Sequence, residues 1–307
     1  MFSKYIDNSK NKDESYKSID EIIDNILNYD KWLTPTIDPY TGDQLTYIVE
    51  KAFEMNKEVK IKGETFTFNL LSFKYDSLIT GFENSPIYEE RVKQTNGYFI
   101  IYTDGSRTQY IINRGTGSNA LSILRKINNS ESNKIIEAKT FSFNSDFFIW
   151  LISKFKNDNN IDENENITLE RVTGFKGSGN ANQATLIGAG NDVMNLFSTM
   201  SFIIEMDSLT EILAKFKYNE HTIEIRFYES NSQIDINIAK YTGEYLREAE
   251  SLKNSLILLH SFILIIPAVI NSFNNDEWNK EKEKKFSQET LEAVKIKIKK
   301  AEKMINE

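Results

Sequence analysis

The segment from Ser255 to Phe273 constrains the fold more than any other. It reads Ser-Leu-Ile-Leu-Leu-His-Ser-Phe-Ile-Leu-Ile-Ile-Pro-Ala-Val-Ile-Asn-Ser-Phe, with no charged side chain unless His260 is protonated. A run of this size is roughly what a helix needs to cross a bilayer core. It is equally what a helix needs when its own protein encloses it on every side. Against spanning stand His260, Pro267 and Asn271, whose polar groups or interrupted backbone ladder need partners that lipid does not supply. The preceding Glu244 to Lys253 also reads as an earlier part of the same amphipathic helix. A buried core helix is the expectation, and membrane association through 255–273 the alternative.

The rest of the chain must then provide the enclosure. Its 307 residues, 40% of them hydrophobic, suffice for one large core or two ordinary ones. There is no cysteine, so disulfides, thiolate zinc sites, Fe–S clusters and cysteine nucleophiles are excluded. The two histidines, His221 and His260, are too few for a His-rich metal centre. With 37 basic and 45 acidic side chains the net charge is −8, which argues against nucleic-acid binding driven by net charge. The first residues carry no apolar core of signal-peptide length, so a cytoplasmic address is expected. A proline-poor composition rich in Asn, Lys and Ile suits an AT-rich bacterial or phage genome. A place in a host–phage conflict system, such as antiviral defence, is an expectation from how common such systems are in such genomes, and no residue of the chain specifies it.

The most polar stretch, Lys156 to Asn166, holds a single apolar residue and favours turns. It divides the chain into an N-terminal α+β unit (1–155), a polar linker (156–166) and a C-terminal unit (167–307). The expected class is α+β, the second unit being an antiparallel β-meander packed against long C-terminal helices. In the first unit, Ser18 followed by Glu21 forms a capping box, and Ile19, Ile22, Ile23, Ile26 and Leu27 then recur at helical spacing. After Pro35, Pro39 and Gly42 a second helix is predicted, with Leu45, Ile48, Val49, Ala52 and Phe53 on its apolar face. Strands follow around Lys62-Gly63-Glu64, and a hairpin of 98–102 with 108–112 turns at Asp104-Gly105. A short helix opens at Ser118, a strand occupies about 135–143, and an aromatic helix spans 146–155.

The second unit begins with a strand at 167–172, a Gly/Asn-rich turn at 174–183 and a short strand at 184–187. A helical or mixed stretch is expected over 192–213. The best strand alternation in the chain comes next: Ile223, Ile225 and Phe227, a turn at Ser230-Asn231-Ser232, then Ile234, Ile236 and Ile238. From Gly243 the pattern is helical to the end, broken near 274–277.

Gly115-Thr116-Gly117-Ser118-Asn119-Ala120 fits the letter of a G-x-G-x-x-G/A loop, which makes Gly115, Gly117 and Ser118 candidates for anion binding. The preceding strand belongs to a hairpin rather than a βαβ unit, so a turn with Ser118 as helix cap is the plainer reading. The glycines at 174–179 lack the P-loop spacing and read as a hairpin loop. On the meander, Glu224, Arg226, Asp235 and Asn237 share the face opposite the apolar residues. Glu224 and Asp235 with Lys240 are the candidate catalytic set of a Mg²⁺-dependent nuclease or phosphodiesterase. Glu58-Val59-Lys60, with Asp43 upstream, is a second fragment of that kind. Charged pairs of this sort also dress an ordinary solvated sheet face. His221 falls in a turn, no G-x-S-x-G elbow supports a triad, and His260 reads as a hydrogen-bonded structural residue.

Leu291, Val294, Ile298, Ala301 and Ile305, at alternating spacings of three and four, draw a narrow seam on the last helix. Lys295, Lys297, Lys299 and Lys300 surround it. The seam serves either the protein's own core or a contact with a partner or a second copy. No reactive constellation exceeds its plain reading, and the best-organised features are packing surfaces. The expected function is therefore a non-catalytic interaction or assembly subunit, working through a protein partner or self-association, without a cofactor. The Mg²⁺-dependent nuclease and the membrane-associated protein are its alternatives.

Overall fold

Ser18 opens the first helix as the capping box requires: its side chain accepts from the Glu21 backbone N–H at 3.2 Å, and the Glu21 carboxylate accepts from the Ser18 N–H at 2.7 Å. In the computed structural model, which describes residues 1–115, 118–130, 135–178, 183–187, 208–229 and 234–306, this helix, α1, spans Ile19–Leu27 and buries Ile19, Ile22, Ile23 and Ile26. The chain divides into two compact units, Met1–Thr140 and Phe141–Glu307. Both combine helices with an antiparallel sheet, which makes the protein α+β.

The first unit's strands are β1 (Ser3–Asp7), β2 (Tyr47–Lys51), β3 (Lys57–Ile61), β4 (Glu64–Leu78), β5 (Val92–Thr103), β6 (Thr108–Ile112) and β7 (Ile136–Ala138). They run in the order β2-β4-β5-β6-β1-β7, with β3 also paired to β4. The long β4 takes β3 along Glu64–Phe68 and β2 along Leu71–Tyr75. A single-turn α2 (Tyr88–Arg91) precedes β5, and α3 (Ser118–Ile127) packs with α1 over one sheet face. Leu71, Phe73, Phe99, Ile101, Tyr110 and Ile112 meet the helices there.

The helix expected over Leu45 to Phe53 is instead β2. Val49 is buried opposite Phe73, while Ile48, which a helix would have turned inward, is 42% exposed. Alternation along a strand and one turn of helical spacing share too many positions in so short a segment, and the cross-strand partners on β4 decide between them.

The second unit starts earlier than the polar stretch. Its helix α4 (Ser145–Asn157) packs on β9 (Ile167–Ser178) and β11 (Ser208–Tyr218). Phe147 lies 5.5 Å from Phe227 and 5.4 Å from Phe273, ring centroid to centroid. The polar stretch itself holds β8 (Asn160–Asp162), an edge strand on β9, rather than a linker between units. Polarity there records exposure to water, not a division of the core.

With β10 (Gln183–Ile187), β12 (His221–Tyr228) and β13 (Ile234–Ile236), the second sheet has the order β10-β9-β11-β12-β13, with β8 also paired to β9. β12 and β13 are the two expected strands of the meander, although Ile238 falls in a turn after β13 rather than in the strand, and β11 extends the meander by a strand that was not expected. β9 continues through Gly174 to Ser178, so the first part of the expected glycine turn is strand. From Ser208 the stretch expected to be helical or mixed is β11. Register shifts against β9, the first between Leu209 and Glu211, separate the buried Leu209 and Ile212 by three positions and so imitate a helical period. The Ser230-Asn231-Ser232 turn, and 192–207 of the mixed stretch, lie outside the described residues.

The apolar run is carried by α5 (Glu250–Asn275), which changes from α-helix to a π-helical turn at His260–Ile265 and back. Leu258, Leu259, Phe262, Leu264, Ile265, Ile266 and Val269 are buried within the protein, and Asn271, where the helix emerges, is exposed. Each buried polar side chain of the run finds a carbonyl one turn back: Ser255 Oγ donates to Ser251 O at 2.8 Å, Ser261 Oγ to Ile257 O at 2.7 Å, and His260 Nδ1–H to Leu256 O at 3.0 Å. Pro267 has no N–H and its ring crowds the carbonyl four residues earlier, and the widened turn just before it accommodates both. The last helix, α6, spans Lys280–Asn306.

Candidate functional site

The helix α6 is built in two halves. Phe286, Thr290 and Val294, four residues apart, lie on one stripe and are 3%, 2% and 7% exposed, covered by their own unit. Ile298 continues that stripe one turn further and is 41% exposed. Leu291, Ile296 and Met304 are also exposed, as is Ala301. Of the expected seam, Val294 therefore faces the protein's own interior, while Leu291, Ile298 and Ala301 face solvent. The side chain of Ile305 lies outside the described residues. The helix carries nine lysines against five glutamates, a charge of +4, which leaves −12 on the rest of a chain whose total is −8.

The other expected sites fare differently. Gly115 follows β6 outside any helix or strand, Gly117 lies outside the described residues, and α3 spans Ser118–Ile127 with the Ser118 side chain undescribed. Glu224 is buried, and its carboxylate accepts from Asn237 Nδ2 at 2.9 Å and pairs with Lys240 Nζ at 3.0 Å. Asp235 stands opposite Arg226 across β12 and β13, and Arg226 itself pairs with Glu211 at 2.7 Å. Among the described residues no group of three or more His, Asp or Glu side chains is placed to hold a metal ion. Lys240, from the turn after β13, thus pairs with Glu224, and Arg226 on β12 with Glu211 on β11. Glu58 faces Thr67 across β3 and β4.

A cluster that the sequence reading does not assemble lies at the far end of the β11–β12 hairpin, where the chain's two histidines come together. Their rings are 5.7 Å apart, and Tyr245 stacks on His221 at 4.4 Å. The segment after β13 is held there by a reciprocal backbone pair between Thr222 and Thr242. Tyr241 Oη donates to His221 Nδ1 at 2.6 Å, so His221 Nε2–H faces Glu244 Oε1 at 3.4 Å. His260 Nδ1–H is taken by the Leu256 carbonyl, leaving Nε2 to accept from Tyr245 Oη at 3.4 Å. Gly243 fits at φ +146° with no room to spare: a Cβ would lie 2.5 Å from Tyr241 Oη and 2.9 Å from His221 Nδ1.

Burial holds both imidazoles neutral. It lowers the His260 pKa to about 4 and lowers that of His221 against the pull of Glu244. The same burial raises the Tyr241 and Tyr245 hydroxyls. This arrangement clamps hairpin, loop and α5 together, with each ring's tautomer fixed by a partner. The sequence signal for it was Tyr241-Thr242-Gly243-Glu244-Tyr245, which places two tyrosines four residues apart around a glycine.

No protein-family model matches the chain, and no curated protein matches it. The functional reading accordingly rests on the chain's own surfaces.

Proposed function

We propose that the protein is a non-catalytic interaction or assembly subunit whose contact element is the outer half of α6, docked on an acidic surface of a second copy. The observation that carries this reading is the continuous stripe Phe286-Thr290-Val294-Ile298, covered by the protein's own unit in its first three positions and bare from there on. Anchors one or two turns apart on a helix are the usual means of seating it in another protein's groove. The charge supports a copy of this chain as the occupant: a helix at +4 meets a remainder at −12. Such opposite fields steer encounter and oppose pairing of two basic helices with each other. A contact of helix to body is head-to-tail, and assembles rings or filaments according to whether its rotation closes. A cytoplasmic setting in a bacterial or phage assembly engaged in host–phage conflict is part of the proposal; of these, only the bacterial or phage origin is argued from composition.

Light scattering of the full chain, at about 0.05 and 0.5 M salt, tests it. At low salt the mass is expected to exceed the 35.6 kDa of one chain. High salt, or the double substitution Leu291→Asp and Ile298→Asp, is expected to return it to that value. A monomer at low salt up to about 100 μM protein removes the reading.

A further inference from the structure

Nine of the fourteen large apolar side chains exposed among the described residues lie in two places. Four are on α6. The other five, Ile37, Tyr40, Phe82, Ile87 and Tyr88, belong to the first unit, on the loop before β2 (36–44) and on the loop and short α2 before β5 (79–91). One ion pair stitches these two segments into a single surface. Arg91 Nε donates to both Asp38 oxygens at 3.0 Å and Nη2 to Asp38 Oδ2 at 2.8 Å, while Nη1 donates to the carbonyls of Ser85 at 3.3 Å and Pro86 at 3.2 Å. Both partners are buried, and the Tyr40 and Tyr88 ring centroids lie 4.9 and 5.3 Å from the guanidinium carbon. The pair thereby holds two tyrosines that remain exposed, and aromatic side chains already held in place lose little freedom on binding.

The charge on this surface is one-sided. Residues 36–44 and 79–91 hold five carboxylates and, in Arg91, one cation, a net charge of −4. Asp38 is taken by Arg91, and Asp43, Glu83, Glu89 and Glu90 make no ion pair among the described residues. An apolar surface among unpaired carboxylates fits an apolar helix face among ammonium groups. The chain has such a face on α6, where exposed Ile296 and Ile298 alternate with lysines and exposed Lys299 and Lys300 follow. We propose that this surface of the first unit is the acceptor for the outer half of α6 of a second copy. The inference rests on the reading of α6 as a contact element and adds which surface receives it. Two copies of the acidic surface repel each other, as two basic helices do, so the pairing is head-to-tail.

Two variants of the full chain test it by light scattering at about 0.05 M salt. One lacks the helix contact, Leu291→Asp with Ile298→Asp; the other lacks the acceptor, Ile87→Lys with Glu89→Lys, both at exposed positions. Each alone is expected to be monomeric, its self-association weakened by roughly tenfold or more. Mixed in equal amounts, they are expected to form a complex of two chains and nothing larger, because the intact helix of one meets the intact acceptor of the other and no further contact remains. An acceptor variant that assembles like the unaltered chain, while the helix variant does not, overturns this inference and leaves the reading of α6 standing; the surface is then open to a different basic partner. A mixture without the two-chain complex overturns it as well. A monomeric unaltered chain removes both. Should the acceptor variant fail to fold by circular dichroism, Asp43→Lys with Phe82→Ser takes its place under the same expectations.

Discussion

Gly243 shows how a single backbone position can hold a cluster together. Its φ of +146° lies where side-chain-bearing residues rarely go, and a methyl group there would meet the Glu220 carbonyl at 3.0 Å as well as Tyr241 and His221. Gly243→Ala is expected to cost about 2 kcal/mol or more in urea unfolding, combining strain with displaced neighbours. A cost below about 0.5 kcal/mol would mean that the loop is free to move aside. His260 makes a second prediction, from its protons. In the unfolded chain its pKa returns to near 6.5, while in the fold it is lowered to about 4 by burial. The unfolded state therefore binds the extra proton first as pH falls. The stability due to the neutral ring is complete above pH 6.5 and is lost progressively down to about pH 4, by about 2 kcal/mol between pH 7 and 5. His221, shifted in the same direction, adds to the same slope. His260→Gln is expected to flatten the pH dependence of unfolding in that window, and an unchanged slope would show that burial does not lower the pKa of the ring.

The elements divide into those whose pattern was legible in the sequence and those fixed by distant partners. The capping box of α1, the Asp104-Gly105 hairpin and the alternation of β12 were legible because each is determined within a few residues. β2 and β11 were not, because a short strand and a bulged one both carry apolar residues at spacings of three, and only pairing with β4 and β9 selects the extended form. For the same reason the His–Tyr cluster showed in the sequence only as two tyrosines around a glycine: Tyr218, His221, Tyr245 and His260 meet only when hairpin, loop and α5 have folded. The seam on α6 was seen as a line, but not that its own unit covers part of it. That division gives the element-scale prediction. Phe286→Ala, at a position 3% exposed, is expected to destabilise the protein by about 3 kcal/mol in chemical unfolding. Ile298→Ala, on the same stripe one half further out, is expected to change the stability of the monomer by less than about 0.5 kcal/mol. Equal costs at the two positions would mean that the outer half is packed within the monomer and has no surface to offer.

At the scale of the whole molecule, the apolar run decides what kind of object the chain is. As a membrane span it would present Leu258, Leu259, Leu264, Ile265 and Ile266 to lipid. In the structure these side chains are enclosed by the protein, and 61% of the most apolar window is buried. The two readings predict opposite effects for a charge placed in the run. If α5 is the centre of the second unit, the unaltered chain is recovered without detergent, and Ile266→Asp, at a fully buried position, costs more than about 4 kcal/mol and sends the protein into aggregates. If α5 instead crosses a membrane, the unaltered chain sediments with membranes and the same aspartate, unfavourable in hydrocarbon, releases it into the soluble fraction. Fractionation of the two proteins side by side separates these outcomes. Aromatic side chains supply part of the cover for a helix that is apolar on nearly every side: Phe141 packs on Phe262, and Phe147 and Trp150 pack on Phe273.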